Sequence, residues 1–393
     1  MNAQLENIIT DPAERIFPSF SLVRLLGSVF EPTQDMKVCI LIDLEDLNDV
    51  KDFAFLKDES LTVQRYAYET FYRGLHDGVM EELGMTGGDF YAYNISGGSN
   101  LDLRNEAVQS TGREVSLETD VYPHYDIILC ISTFSATAPL TAFAKQHGFR
   151  GATLHGLNEI IINSGLCVDY REVSKDAEKL RLAVTKADTI EIDFTIEGHK
   201  EVVTCILDLG GQEAQKSHGL CHGLAPDIAN LPAGEVYFVP KGAEGEFPLK
   251  YEDGTLGLLE VRGGSIRKSE LVEGDQATID EHNAKLKADP MTGVLGELGL
   301  GTQVLPVSGS DIQDEKILGT CHLATGRDDH LGGDITPDLF KVHANATHDD
   351  ILFAPHKTPN FDIKQVRMKR GDQEEVLIEH FRPMPYLLKA LAG

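Results

Sequence analysis

Basic residues are scarce in this chain: 35 lysines and arginines stand against 63 aspartates and glutamates, a formal charge of -28 over 393 residues. That deficit argues against a nucleic-acid backbone or an anionic membrane as partner, and its plain consequence is solubility. No apolar run approaches the length of a membrane-spanning helix. The N-terminal MNAQLENIITDPAER lacks the basic start and apolar centre of a secretory signal, so a cytoplasmic protein is expected. No CxxC pair occurs. Cys39, Cys130, Cys167, Cys205, Cys221 and Cys321 stand singly, several within apolar strand-like runs, which predicts buried free thiols in a reducing compartment. Also missing are an H-E-x-x-H helix, a G-x-S-x-G elbow, a G-x-x-x-x-G-K-[ST] phosphate loop and any repeat of fixed period. ISGGSN (95–100) and GELGLG (296–301) do not fit the dinucleotide fingerprint.

What remains is an α/β pattern long enough for two domains. KVCILID (37–43), DFYAYNI (89–95) and YDIILCIST (125–133) are compact apolar runs. Helical patterns at 61–83 and 138–148 separate them, and buried strands with helical crossovers predict a parallel, Rossmann-like sheet over residues 1–170. From Asp169, a plausible cap, the residues Val173, Ala177, Leu180, Val184 and Ala187 form one helical stripe. Beyond it TIEIDFTIEG, EVVTCILDLGG, GEVYFVP, TLGLLEVRGG, DIKQVRMKRG and EEVLIE read as short strands, with helices near 276–288 and 385–391. Residues 171–393 therefore read as a β-rich α+β domain that binds metal.

The metal reading starts from residues 318–353, which hold four histidines and six aspartates. In ATHDDILF the strand period of two puts His348 and Asp350 on one face and turns Asp349 away. His322, in the apolar GTCHLATG, needs a partner or a metal if buried; a hydrogen-bonded core histidine is the alternative. Glu235 in LPAGEVYFVP and Glu297 in VLGELGLGT sit in apolar surroundings, and each needs a cation, a proton or strong hydrogen bonds, with an internal salt bridge to Lys241 or Lys316 as the alternative to metal. Cys221 in SHGLCHGLAPD, between His218 and His222, is a weaker candidate nucleophile; the two histidines would otherwise line the cavity beside Glu235.

NLPAGEVYFVP, GELGLGT, DEKILGTCHLATG and the later HDD resemble, in order, the landmarks of the aminopeptidase T / aminopeptidase S family of metal-dependent peptidases. RGATLHGLNEIIINSGLCVDYREVSKDAEKL also resembles that family's segment joining two domains, so the similarity spans about residues 120–355. The resemblance implies a homodimer and two divalent ions (zinc, cobalt or manganese) held by Glu235, Glu297, His322, His348 and Asp350. Glu297 would also serve catalysis on a small or short-peptide substrate. Seven residues after the histidine of H-L-A-x-G that family carries a tyrosine, where this chain has Asp329 followed by His330. Asp329 or His330 would then supply the replacement acid, base or hydrogen bond.

The chain also resembles, more distantly, the iron(II) ring-opening dioxygenases that cleave dihydroxypyridines, whose loop ending in GG is the closer match to GRDDHLGG. There the resemblance implies one iron, with His348 and Asp350 as ligands. A histidine stands in those relatives where this chain has Glu297, and they lack counterparts of Glu235 and His322.

Overall fold

The computed structural model describes residues 11–393. Its first sheet runs in the order Asp227–Asn230, Arg150–His155, Ile127–Ser132, Lys37–Leu44, Thr86–Asn94, Glu106–Gln109, Glu114–Ser116. The first five strands are parallel and the last two turn back as antiparallel edge strands. Lys37–Leu44 is buried from its second residue onward and Ile127–Ser132 throughout, because both faces are covered. Val38, Ile40 and Ile42 pack towards the helix Leu22–Phe30, while Cys39, Leu41 and Cys130 pack on the other side near the helix Thr137–His147.

The expected helix at 61–83 is a broken one. α-Helical ends, Thr62–Tyr66 and Met80–Leu83, flank wider π turns, and Gly78 at φ 113 interrupts the ladder. The helix Tyr170–Val184 starts where expected, with the Asp169 side chain accepting from the Arg171 N–H; Val173, Ala177, Leu180 and Val184 are buried.

Beyond that helix lie two antiparallel sheets. One has eight strands, ordered Ser265–Glu273, Leu256–Arg262, Gly242–Lys250, Val203–Asp208, Thr189–Ile196, Phe361–Arg370, Gln373–Glu379, Arg382–Pro383. The other has five, ordered His348–Phe353, Cys321–Gly326, Leu295–Gly301, Glu235–Phe238, Gln215–Ser217. They share one core, in which Ile192 and Phe194 of the larger sheet meet Val236, Leu298, Leu323 and Phe353 of the smaller. Two strands of the larger sheet, Gly242–Lys250 and Ser265–Glu273, escape the sequence reading, because GAEGEFPLK and SIRKSELVE carry glycine and charge where an apolar run was sought. The short strand Asp227–Asn230 returns from the second half of the chain to the edge of the first sheet, beside Arg150–His155.

Leu323 is fully buried between the two antiparallel sheets. Leu323→Ala is expected to cost about 2–5 kcal/mol, read as a lowered urea midpoint with unchanged slope.

Candidate metal centre

The five-stranded sheet owes its chemistry to alternation, with a bulge between Leu295 and Glu297 that sends Leu295 to the core and Glu297 to the other face. Val236, Leu298, Leu300, Cys321, Leu323 and Phe353 turn into the core, so the residues between them turn outward to a cleft. Glu235 pairs in register with Gly301, Tyr237 with Gly299, Glu297 with Ala324, His322 with Gly299 and Asp350 with Ala324. The outward face thus carries Glu235, Glu297, His322, His348 and Asp350 on a floor of glycine and alanine. The small residues are as necessary as the large ones. A Cβ on Gly299 would lie 2.0 Å from Cε1 and 2.3 Å from Nε2 of His322, so only glycine lets that ring lie across the strand.

All five expected donors come together, and Glu297 is the centre. Its Oε1 lies 3.6 Å from His322 Nε2 and its Oε2 3.0 Å from His348 Nε2. His348 Nε2 is 3.4 Å from Asp350 Oδ1, and His322 Nε2 is 3.8 Å from Glu235 Oε2. Glu235–Glu297–His322 and Glu297–His348–Asp350 each bring one donor atom per residue within 4.8 Å of one another, a spacing that a single ion spans. Asp350 is at the mouth, with 31% of its side chain exposed, whereas both glutamates and both histidines are buried.

The buried lysine is Lys316, not Lys241. Its ammonium lies 2.7 Å from Glu235 Oε1 and 2.5 Å from Glu315 Oε1. Glu315 escaped the sequence reading, since in DEKILG it stands among charged neighbours that resemble a surface turn.

His348 is aimed from behind. Its Nδ1–H donates to the Arg327 carbonyl oxygen at 2.6 Å, which leaves Nε2 to face the carboxylates. Arg327 itself is buried and reaches the Asn100 carbonyl, Asp102 and Asp329, tying the site to the loop after Thr86–Asn94. That ion pair bears on one expectation. Asp329 is held by Arg327 through bonds of 2.6 and 3.2 Å and does not line the cleft. His330 does line the cleft, packed edge to face on His348 with ring centres 4.9 Å apart. Burial and the neighbouring His348 push its pKa down to about 3, so its ring is neutral.

The cluster holds protons in the absence of a metal. Burial opposes charge on His322, yet Glu297, Glu315 and Asp350 outweigh it and raise its pKa to about 10. His348 is likewise raised against burial, by Asp350 and Glu297, and Glu297 itself is lowered against burial by the two imidazoles. Burial and the acids Asp350 and Glu235 raise Glu315 to about 8 despite Lys316. Two buried polar atoms in the cluster have no hydrogen-bond partner, Glu235 Oε2 and His322 Nδ1. Orphaned donors, a glycine cradle under an imidazole and a mixed nitrogen and oxygen set together fit divalent metal.

The cleft, about 200 Å³, opens between this face and the carboxyl ends of the first sheet's parallel strands. Asn100, Ser135, Thr137, His155 and Asn230 form the opposite wall, and all but His155 are linked in one chain, through Thr153, by side-chain contacts of 2.7–3.3 Å. Tyr237 is its one tyrosine among the described residues, and burial with Glu297 and Glu235 keeps the phenol protonated. His218 also lines the cleft, but His222 turns away to the Ser28 carbonyl. The Cys221 thiol is buried against the Gly151 carbonyl and raised by burial, which removes it as a nucleophile. The other cysteines are buried and free, and no helix among the described residues is long and apolar enough to cross a membrane.

No protein-family model and no curated protein matches the chain. Among solved structures, the chain is similar to the 2,5-dihydroxypyridine dioxygenase of Pseudomonas putida, with a TM-score of 0.55 and 12% identity over 89% of this chain and 92% of that one. At that identity the likeness is one of fold. The structural neighbour is an enzyme.

Gly299→Ala is expected to push the His322 ring out of place, lowering bound metal and the unfolding midpoint together, with a stability cost of about 1–3 kcal/mol. Metal analysis beside thermal unfolding checks this. Because the pKa values of His322 and His348 are raised and that of Glu315 is raised to about 8, all three hold protons at neutral pH in the metal-free chain, and metal uptake with neutral imidazoles and ionised acids releases about two to three protons and tightens as pH rises. Calorimetry in two buffers of different ionisation enthalpy measures that release, and none at all would show the imidazoles already neutral.

Proposed function

We propose that the chain is a two-metal hydrolase of the aminopeptidase T / aminopeptidase S kind, cleaving a small peptide or related amide with a free amine. The observation that carries the reading is the Glu297 carboxylate, whose two oxygens face two different imidazoles and which belongs to both donor groups. Charge supports it. With neutral imidazoles and ionised acids, Glu235, Glu297, Glu315 and Asp350 against Lys316 leave three negative charges in a mostly buried cleft. One divalent ion leaves the cluster negative, whereas two leave it one charge positive, suited to an electron-rich carbonyl oxygen.

Glu235, Glu297 and His322 would hold one ion, and Glu297, His348 and Asp350 the other. When bound, the pair supplies Lewis-acid polarisation of a carbonyl and acidifies water at neutral pH. The chain's part is orientation and hydrogen bonding. The Arg327 carbonyl fixes the His348 tautomer, and Gly299 fixes the His322 ring. Tyr237, which lines the cleft and is kept protonated by burial and the charges of Glu297 and Glu235, would donate a phenolic hydrogen bond to the substrate. His330 offers a neutral imidazole from the other side, in the loop where the family's tyrosine is missing.

A second reading is a single-iron, ring-opening dioxygenase acting on a hydroxylated pyridine-type aromatic, with His348 and Asp350 as ligands. The fold likeness to the dihydroxypyridine dioxygenase favours this one, while buried Glu235 and His322 favour the first.

Metal content of protein purified without oxygen, joined to amine release from a short-peptide panel and oxygen uptake with 2,5-dihydroxypyridine, separates them. Two ions and peptide turnover, with turnover and one ion lost in Glu297→Gln, are the expected results. One iron with oxygen uptake overturns the hydrolase in favour of the dioxygenase.

A further inference from the structure

We infer that the wall facing the metal donors is a subsite for a second oxygen function of the substrate, a carbonyl or carboxylate held away from the metal, and that the side-chain amide of Asn100 is its fixed donor. Asn100 is 5% exposed and lines the cleft. Its backbone N–H donates to the Ser135 carbonyl at 2.7 Å, and its own carbonyl accepts from Arg327 at 2.9 Å. Its Oδ1 accepts from the Ser135 hydroxyl at 3.3 Å and from the Ala138 N–H at 2.8 Å, one of the first N–H groups of the helix Thr137–His147. An N–H can only donate, so the atom facing Ala138 is the amide oxygen and Nδ2 is turned away from it. Buried polar groups are normally paired, and among the described residues no acceptor meets Nδ2, so the partner of its two N–H donors is what enters the cleft.

A second amide stands at the far end of the same wall. Thr153 Oγ1 donates to Asn230 Oδ1 at 3.1 Å and lies 2.7 Å from Thr137 Oγ1, which lies 3.0 Å from Ser135 Oγ. A hydroxyl has one proton. With that of Thr153 committed to Asn230, Thr137 donates to Thr153 and Ser135 to Thr137 or Asn100, so both amide oxygens face the hydroxyls and both amide nitrogens are left over. The groups of this wall carry no charge, since burial pulls His155 down to about 4 and leaves its ring neutral. Two unlike walls orient a small substrate. One oxygen function meets the metal side and a second reaches the amides, which fits a dipeptide with its scissile carbonyl at the acids and its terminal carboxylate at Asn100.

The inference rests on the reading of this cleft as the place of reaction, and its test compares alanyl-alanine with alaninamide, which has no carboxylate end, on the zinc-loaded full chain. Asn100 has φ 63, a backbone that aspartate also adopts, and aspartate keeps the oxygen that meets Ala138. A merely structural Asn100 therefore predicts no loss in Asn100→Asp. Asn100→Gly, or Asn100→Ser should it not fold, removes the donors without adding charge. The subsite predicts that Asn100→Asp and this second variant each raise KM for alanyl-alanine by at least about tenfold, with kcat and the turnover of alaninamide changed much less. No change, equal losses on both substrates, or a loss confined to Asn100→Asp overturns it. If wild type instead takes up oxygen with 2,5-dihydroxypyridine, the hydrolase reading fails separately, and the same variants stand or fall on a tenfold rise in KM for that compound. If wild type turns over neither, calorimetric binding of alanyl-alanine and of the pyridine is read by the same criterion, and a chain that binds neither overturns the subsite.

Discussion

Everything at this site follows from placing four carboxylates on one side of a small sheet, three of them buried, with one ammonium for company. Charge of one sign removed from water is expensive, and a protein meets the cost with protons, counter-ions or metal. In the metal-free chain the answer is protons on His322, His348 and Glu315 and the lysine behind Glu235 and Glu315. Those same imidazoles are the groups that would exchange protons for metal. The surrounding structure serves this cluster. Gly299 leaves room for a ring, the Arg327 carbonyl selects a tautomer, and the core-facing leucines keep the strands in register so that the donors converge.

The donors were legible in the sequence because the strand period separates them. His322, between Cys321 and Leu323, faces away from the core those neighbours fill, and His348 shares a strand face with Asp350 two residues on. Strand and helix order was legible for the same reason of periodicity. The wall opposite was not, since Asn100, Ser135, Thr137 and Asn230 are ordinary loop residues that gather only because parallel strands end at one edge. Glu315 was hidden for a different reason. A Glu-Lys pair reads as solvated surface until the fold buries it, and the long-range register that buries it is not a local signal. In the loop at 327–335, Asp329 sits where the resemblance asked for a catalytic group, and Arg327, its neighbour two residues before, holds it.

Fold and donor set speak to different questions. The architecture is similar over most of its length to a dioxygenase, and one architecture supports unrelated reactions. The cluster is local and chemical, and its glutamates, histidines and Asp350 form three overlapping groups that could hold metal. In the proposed hydrolase the five-stranded sheet would hold metal and the hydroxyl-lined ends of the first sheet would face the substrate across the cleft.

The most direct test is anomalous diffraction from crystals of the full chain soaked in cobalt(II) or zinc. The account predicts two peaks in the cleft, one beside His322 and one beside His348, with a Glu297 oxygen on each. A single peak bound by His348 and Asp350 with Glu297 turned aside, or peaks only on the protein surface, would contradict it.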